Sequence, residues 1–224
     1  MDITYKEATI LPEFIDAIRL PAHRHGVRES MNKQVVAIYC CGGIKKGNKD
    51  KKKLIWGRKE FDSLSRAIFP VKAVFLSPQK RQDDVSDTFS VFGRDHFQIS
   101  VCDFLVADLR EKRGIGVGIE MLSAKILCKP VIAVAPITHH YRRERLNYLG
   151  GSVRDYVHAH LFGVADAIVN DFNEAGLWIK NFLVKPVPVK NAFVVAKAID
   201  SYKKKQLARD GPMIDALKQL GRFK

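Results

Sequence analysis

An α/β fold, with a parallel sheet covered on both faces, is what this sequence predicts, on two observations. Short and almost wholly apolar runs recur along it: Val35–Cys40, Ala73–Leu76, Phe104–Ala107, Pro130–Ala135 and a shorter fifth, Ala167–Val169. The stretches between them space their apolar residues as helices do, as in Leu54, Ile55, Phe61, Leu64 and Ile68. Strands buried on both faces read as unbroken apolar runs, and alternation with helices makes them parallel.

Taken in order, residues 1–33 are an N-terminal extension in which Pro12 and Pro21 bracket a short helical candidate ending near Ile18. The first apolar run ends in Gly42-Gly43 and a lysine-rich loop. Helices are expected at 88–101, at about 117–128 after a glycine-rich turn, and at 152–162. Phe193, Val194, Ala198 and Ile199, then Met213, Ile214, Leu217 and Leu220, mark extra C-terminal helices with basic outer faces. The chain thus divides into 1–33, a central domain at 34–172 and a basic helical extension at 173–224. In parallel sheets ligands sit beyond the carboxyl ends of the strands, which directs attention to 42–53 and 108–120.

Of the 224 residues, 46% are hydrophobic and 28% charged, a globular composition that excludes wholesale disorder. The net charge of +14 is uneven. Residues 40–60 hold eight bases and two acids, residues 180–224 eleven bases and three acids, and the remainder balances. A near-neutral body with two basic regions is not a uniform nucleic-acid coat, so contact with nucleic acid through the basic loop and tail is the less favoured reading. Cys40, Cys41, Cys102 and Cys128 show no CxxC spacing and no secreted-scaffold density, which suggests a reducing compartment. Met1–Glu7 has no basic-then-apolar leader, and no apolar run approaches the ~20 residues of a membrane span. The expectation is a cytoplasmic protein without a membrane partner.

Gly114-Ile115-Gly116-Val117-Gly118-Ile119-Glu120 fails as a dinucleotide fingerprint, because Ile119 stands where glycine is needed. Its glycines still allow a ligand close to the backbone, and Glu120 is expected in the first turn of the helix that follows. A glutamate there also suits the helix dipole with no further role. Gly42 and Gly47 have phosphate-loop spacing, but Asn48-Lys49 replaces the required Lys-Ser/Thr. Such a turn could hold one phosphate through N–H groups and Lys45. His139-His140 and His158-x-His160 are set aside as metal ligands: adjacent histidines diverge, and i,i+2 residues on a predicted helix do not share a face. No metal and no cofactor are expected.

Together these pieces resemble the nucleoside 2-deoxyribosyltransferase superfamily, closest to its nucleoside 5′-monophosphate N-glycosidase branch. The matching stretches are Ala37–Lys45, Arg94-Asp95 with Asp103–Asp108, Gly116–Glu120 and Lys129–Ile132. They cover roughly residues 35–135. The resemblance implies a five-stranded parallel sheet flanked by helices, Rossmann-like or flavodoxin-like, assembled as a homodimer or higher oligomer. It implies Glu120 as nucleophile, Asp95 as general acid toward a departing base and Tyr39 as the residue orienting nucleophile or sugar. Gly42, Gly43, Ile44 and Lys45 match a substrate-gripping loop, and Gly114, Gly116 and Gly118 a backbone open to substrate. The residue types suit the chemistry, because two carboxylates in different protonation states can cleave a glycosidic bond.

Transferases of this family tend to carry an aspartate at the position of Gly114, and the monophosphate hydrolases a serine. Glycine removes a carboxylate that would repel phosphate, and Arg113 and Lys45 are basic neighbours. The expected substrate is therefore a nucleoside 5′-monophosphate, cleaved by water. The alternatives are base exchange on deoxyribose, or a nucleotide-binding protein with a degenerate site.

Overall fold

The computed structural model describes residues 35–44, 54–148 and 150–222. Five strands form one sheet: β1 (Val35–Cys41), β2 (Lys72–Leu76), β3 (Phe104–Asp108), β4 (Val131–Val134) and β7 (Ala167–Val169). Their order is β2-β1-β3-β4-β7, every pairing is parallel, and the expected five-stranded architecture is present. The helices are α1 (Arg58–Ile68), α2 (Thr88–Val101), α3 (Ile115–Ile126), α4 (Ala159–Val164), α5 (Phe172–Val184), α6 (Val194–Lys205) and α7 (Gly211–Gln219).

Strand alternation sorts the core into two layers. Tyr39 and Cys41 of β1 point to the face packed by Ile99 of α2 and by Val117, Met121 and Ala124 of α3. Val36, Ile38 and Cys40 point to the other face, under Leu64 and Ile68 of α1 and Phe172, Ala175 and Ile179 of α5. Cys40 and Cys41 thus lie on opposite sides of the sheet. Gly176 lets α5 close on α1, since a Cβ there would meet the Ala67 Cβ at 2.5 Å. The core therefore runs on through α5, past residue 172. Among the described residues no helix is long and apolar enough to cross a membrane.

Two elements differ from the sequence expectation. Residues 152–162 do not form one helix; Gly151–Val157 is a strand, β6, paired antiparallel with β5 (Arg142–Tyr148) in a separate two-stranded ribbon. The ribbon leaves the sheet after β4, and only the six residues of α4 are helical. Tyr156 and Val157 carry the β-propensity that apolar spacing concealed. The second difference is that α3 begins at Ile115, with Gly114 as its N-cap, rather than near 117.

Candidate active site

In the order β2-β1-β3-β4-β7 the chain reverses its direction of growth between β1 and β3, where a ligand crevice is expected at the carboxyl ends. Tyr39 enters it from β1, fully buried, from the face that α2 and α3 cover. Because Asp95 lies on α2 and Glu120 on α3, all three side chains share that face. They also feel one another. Burial first, then Glu120 and Asp95, push the Tyr39 hydroxyl well above its ordinary range.

Glu120 sits in the second turn of α3, not the first, because the helix starts two residues earlier than expected. It is too far along to accept the free N–H groups of the helix start, so the helix terminus does not hold it ionised. Burial governs instead and raises its pKa from 4.5 to about 7, with Asp95 adding to the rise. The Tyr39 hydroxyl and the Cys41 thiol lie within reach as donors and oppose that rise. Even so, the Tyr39 hydroxyl and Glu120 Oε2 are buried without an ordinary hydrogen bond among the described residues. Buried polar atoms are nearly always satisfied, so an unsatisfied pair marks a place where a ligand is expected.

Asp95 is mostly buried on α2. Burial lifts its pKa, while Arg81 and Arg94 pull it down. Arg94 Nη1 stands 3.4 Å and Arg81 Nη1 4.0 Å from its Oδ1. Among the described residues no cation acts on Glu120 in the same way. The helices carrying the two carboxylates are clamped by His96, whose Nε2 lies 3.0 Å from Ser123 Oγ.

The loop after β1 is closely packed. A Cβ at Gly42 would lie 3.1 Å from the Trp56 indole and 3.3 Å from Asp108 Cβ, so only glycine fits without displacing them. Trp56 Nε1 donates to the Cys41 carbonyl at 2.9 Å. Gly43 accepts from Gln79 Nε2 at 3.3 Å, and Ile44 follows half-buried; Lys45 lies outside the described residues. Of the three glycines on the other side, Gly116 adjoins Glu120, a Cβ there falling 3.9 Å from Oε1. Gly114 and Gly118 instead line a cavity of about 630 Å³ between α3 and α4, along with Tyr141 and Leu161.

Arg113 corrects a further expectation. It is buried and committed: its Nη2 lies 2.9 Å from Asp108 Oδ2, its Nε donates to the Asp108 carbonyl at 2.7 Å, and Nη1 to the Leu54 carbonyl at 3.0 Å. It is not free to meet a phosphate. Gln79 and Arg81 were not singled out by sequence. Their signal was position, since the loop after β2 also ends at the carboxyl edge of a parallel sheet.

His158 and His160, expected on separate faces of a helix, come together instead. With the ribbon in place of a helix, the ring centroids of His140 and His158 come within 6.4 Å and those of His158 and His160 within 5.6 Å. No group of three or more possible ligands suited to a metal ion is present among the described residues.

The chain matches no protein-family model and no curated protein. Among solved structures it is similar to a 2-desoxiribosyltransferase from Leishmania mexicana, at 18% identity and a TM-score of 0.44, over 68% of this chain and 99% of that one. It is also similar to a 2-deoxyribosyltransferase from Bacillus psychrosaccharolyticus, at 17% identity and a TM-score of 0.42, over 70% of this chain and 98% of that one. Superposition at that level says nothing about chemistry by itself. What this chain can do rests on its own side chains.

Proposed function

We propose that this protein cleaves the N-glycosidic bond of a nucleoside or nucleoside 5′-monophosphate through a glycosyl-enzyme on Glu120. One observation carries the reading: a buried carboxylate oxygen and a buried tyrosine hydroxyl, both unsatisfied, beside a second carboxylate at the switch point of a parallel sheet. In the first step Glu120 attacks the anomeric carbon, the carbon–nitrogen bond breaks, and its electron pair stays with the base, which takes a proton from Asp95. In the second step Asp95 accepts a proton from water as the water oxygen displaces Glu120. Tyr39 donates to the Glu120 carboxylate and holds it toward the sugar.

Burial favours the protonated form of both carboxyls, so the productive form needs Glu120 ionised and the proton moved to Asp95. A base nitrogen seated near Asp95 favours the move, because an acceptor beside a carboxyl group stabilises its protonated form. The two carboxyls then titrate as one unit, and the pH profile of kcat/KM is bell-shaped with limbs belonging to the pair.

Base exchange on deoxyribose shares every step up to the glycosyl-enzyme and differs in whether a second base or water removes the sugar. With Arg113 committed to Asp108, preference for a 5′-phosphate rests on Gly114 and Lys45 alone. The proposed oligomer is supported by Ile115, Ile119, Leu122 and Ile126, a solvent-exposed apolar stripe at i, i+4, i+7 and i+11 of α3.

The test is incubation with nucleosides and their 5′-monophosphates, with and without an acceptor base, followed by chromatography. Free base released without acceptor, and lost in Glu120→Ala, is the expected result. A new nucleoside formed only when acceptor is present selects base exchange. No base release from any member under either condition overturns the reading.

A further inference from the structure

The ribbon of β5 and β6 has no part in that chemistry, and its two faces differ sharply. The register pairs Arg143 with Tyr156, Arg145 with Arg154 and Asn147 with Ser152, and it is the same on either side of Asp155, which has φ 49° and no partner in the ladder. By strand alternation these six residues share one face. That face holds three arginines and three neutral hydrogen-bonding side chains, with no acid and no aliphatic residue. Glu144, Leu146 and Val153 fall on the other. Arg142, also on the other face, secures the base of the ribbon by donating to the Ala135 carbonyl at 3.0 Å and to Asn170 Oδ1 at 3.2 Å.

Arg145 directly opposite Arg154 is a like-charge cross-strand pair, which weakens a two-stranded ribbon. Among the described residues Arg143, Arg145 and Arg154 are exposed and make no salt bridge. The residue choice is equally specific. Residues 141–157 contain four arginines and no lysine, whereas the two basic runs at 40–60 and 180–224 contain sixteen lysines and three arginines. Lysine suffices for a solvated positive surface; the planar, forked guanidinium suits phosphate.

We propose that the Arg143–Arg145–Arg154–Tyr156 face of this ribbon binds nucleic acid. Arg, Asn, Ser and Tyr are side-chain types that contact phosphate oxygens and base edges, and a two-stranded ribbon is narrow enough to enter a major groove. The arginines lie within about 5–8 Å of one another across the ribbon and neutralise neighbouring phosphates, which relieves the repulsion between them. An anionic membrane is the poorer fit. A face that settles on lipid needs apolar side chains beside its cations, and here those lie on the face that also bears Glu144.

The experiment is fluorescence anisotropy of the full chain with a short labelled duplex and with either of its strands, between about 50 and 200 mM salt. The triple variant Arg143→Ala, Arg145→Ala, Arg154→Ala should bind at least tenfold more weakly. Its plot of log affinity against log salt should be shallower by about 2 to 3, close to 0.9 per lost contact on duplex and 0.7 on single strand. The duplex and single-strand arms report which form is held, and binding of either with these losses supports the proposal. Arg145→Thr alone should raise the melting temperature while weakening binding, a combination that a misfolded variant does not produce. Release of base from free nucleosides should be unchanged in the triple variant. Equal affinity and equal salt slope in parent and triple variant overturn the proposal, as does arginine-dependent binding to phosphatidylserine vesicles without binding to either oligonucleotide.

Discussion

Two charged clusters stand side by side at the carboxyl ends of β1 and β3, and they are built in opposite ways. Asp108, fully buried, meets Arg110 Nε at 2.9 Å and Arg113 Nη2 at 2.9 Å, and Arg110 in turn meets Glu60 Oε1 at 2.8 Å. Two acids and two bases cancel, and Glu60 also closes the start of α1 by accepting from the Gly57 N–H at 3.0 Å. Across the crevice, Glu120 has no cation and Tyr39 no hydrogen-bond partner among the described residues. The first cluster is compensated and holds loops to the sheet. The second is left uncompensated, a cost that folding bears only if something other than stability is served.

The sharpest way to break this comparison is to remove Asp108. Asp108→Ala leaves Arg113 buried beside an empty partner site, and breaking a buried pair from one side costs about 3–5 kcal/mol. Urea denaturation should show a loss of that size; a loss under about 1 kcal/mol would mean the network is not structural.

Glu120→Gln should do the reverse. Folded Glu120 holds its proton more tightly than the unfolded chain does, so the parent loses stability as pH rises from 4.5 through about 7. The variant has no such loss. Above that window it should be more stable than the parent by about 3 kcal/mol, and the gap should close below pH 4.5. Denaturation curves at the two extremes measure it, and base release should vanish throughout. A variant less stable than the parent at high pH would contradict the burial argument.

The smallest effect belongs to the partly compensated member of the site. Arg81→Gln removes a cation that favours ionised Asp95, so the alkaline limb of the activity profile should move upward. The pair is loose and partly solvated, worth roughly 0.2–1 kcal/mol, which limits the move to less than one pH unit. A downward move would show that Arg81 acts on some other group.

Much of this was legible in the linear chain. Fully apolar runs report strands buried on both faces, and alternation with helices reports their parallel order, because both follow from local periodicity and solvent exclusion. Tyr39, Asp95 and Glu120 were legible only through the resemblance of Ala37–Lys45, Arg94-Asp95 and Gly116–Glu120 to a known family, since taken alone Asp95 reads as a surface acid and Glu120 as a helix-start glutamate. Neither the commitment of Arg113 nor the charges around the two carboxylates could be read the same way. Both depend on which charges come within a few ångströms in space: Asp108 and the Leu54 carbonyl for Arg113, Arg81 and Arg94 for Asp95, and no cation for Glu120.

The ribbon marks the same boundary. Residues 152–162 have apolar spacing compatible with a helix, and short segments of that kind are ambiguous between helix and strand. Pairing with Arg142–Tyr148 made 151–157 a strand, and that pairing also set Arg145 against Arg154 and drew the histidine rings together. Local periodicity, then, determined the parallel sheet and most of its helices. Tertiary contact alone decided which charges are compensated, which carboxylate is flanked by cations and which side chains share a face, because electrostatic energy follows distance in space and burial, not separation along the chain.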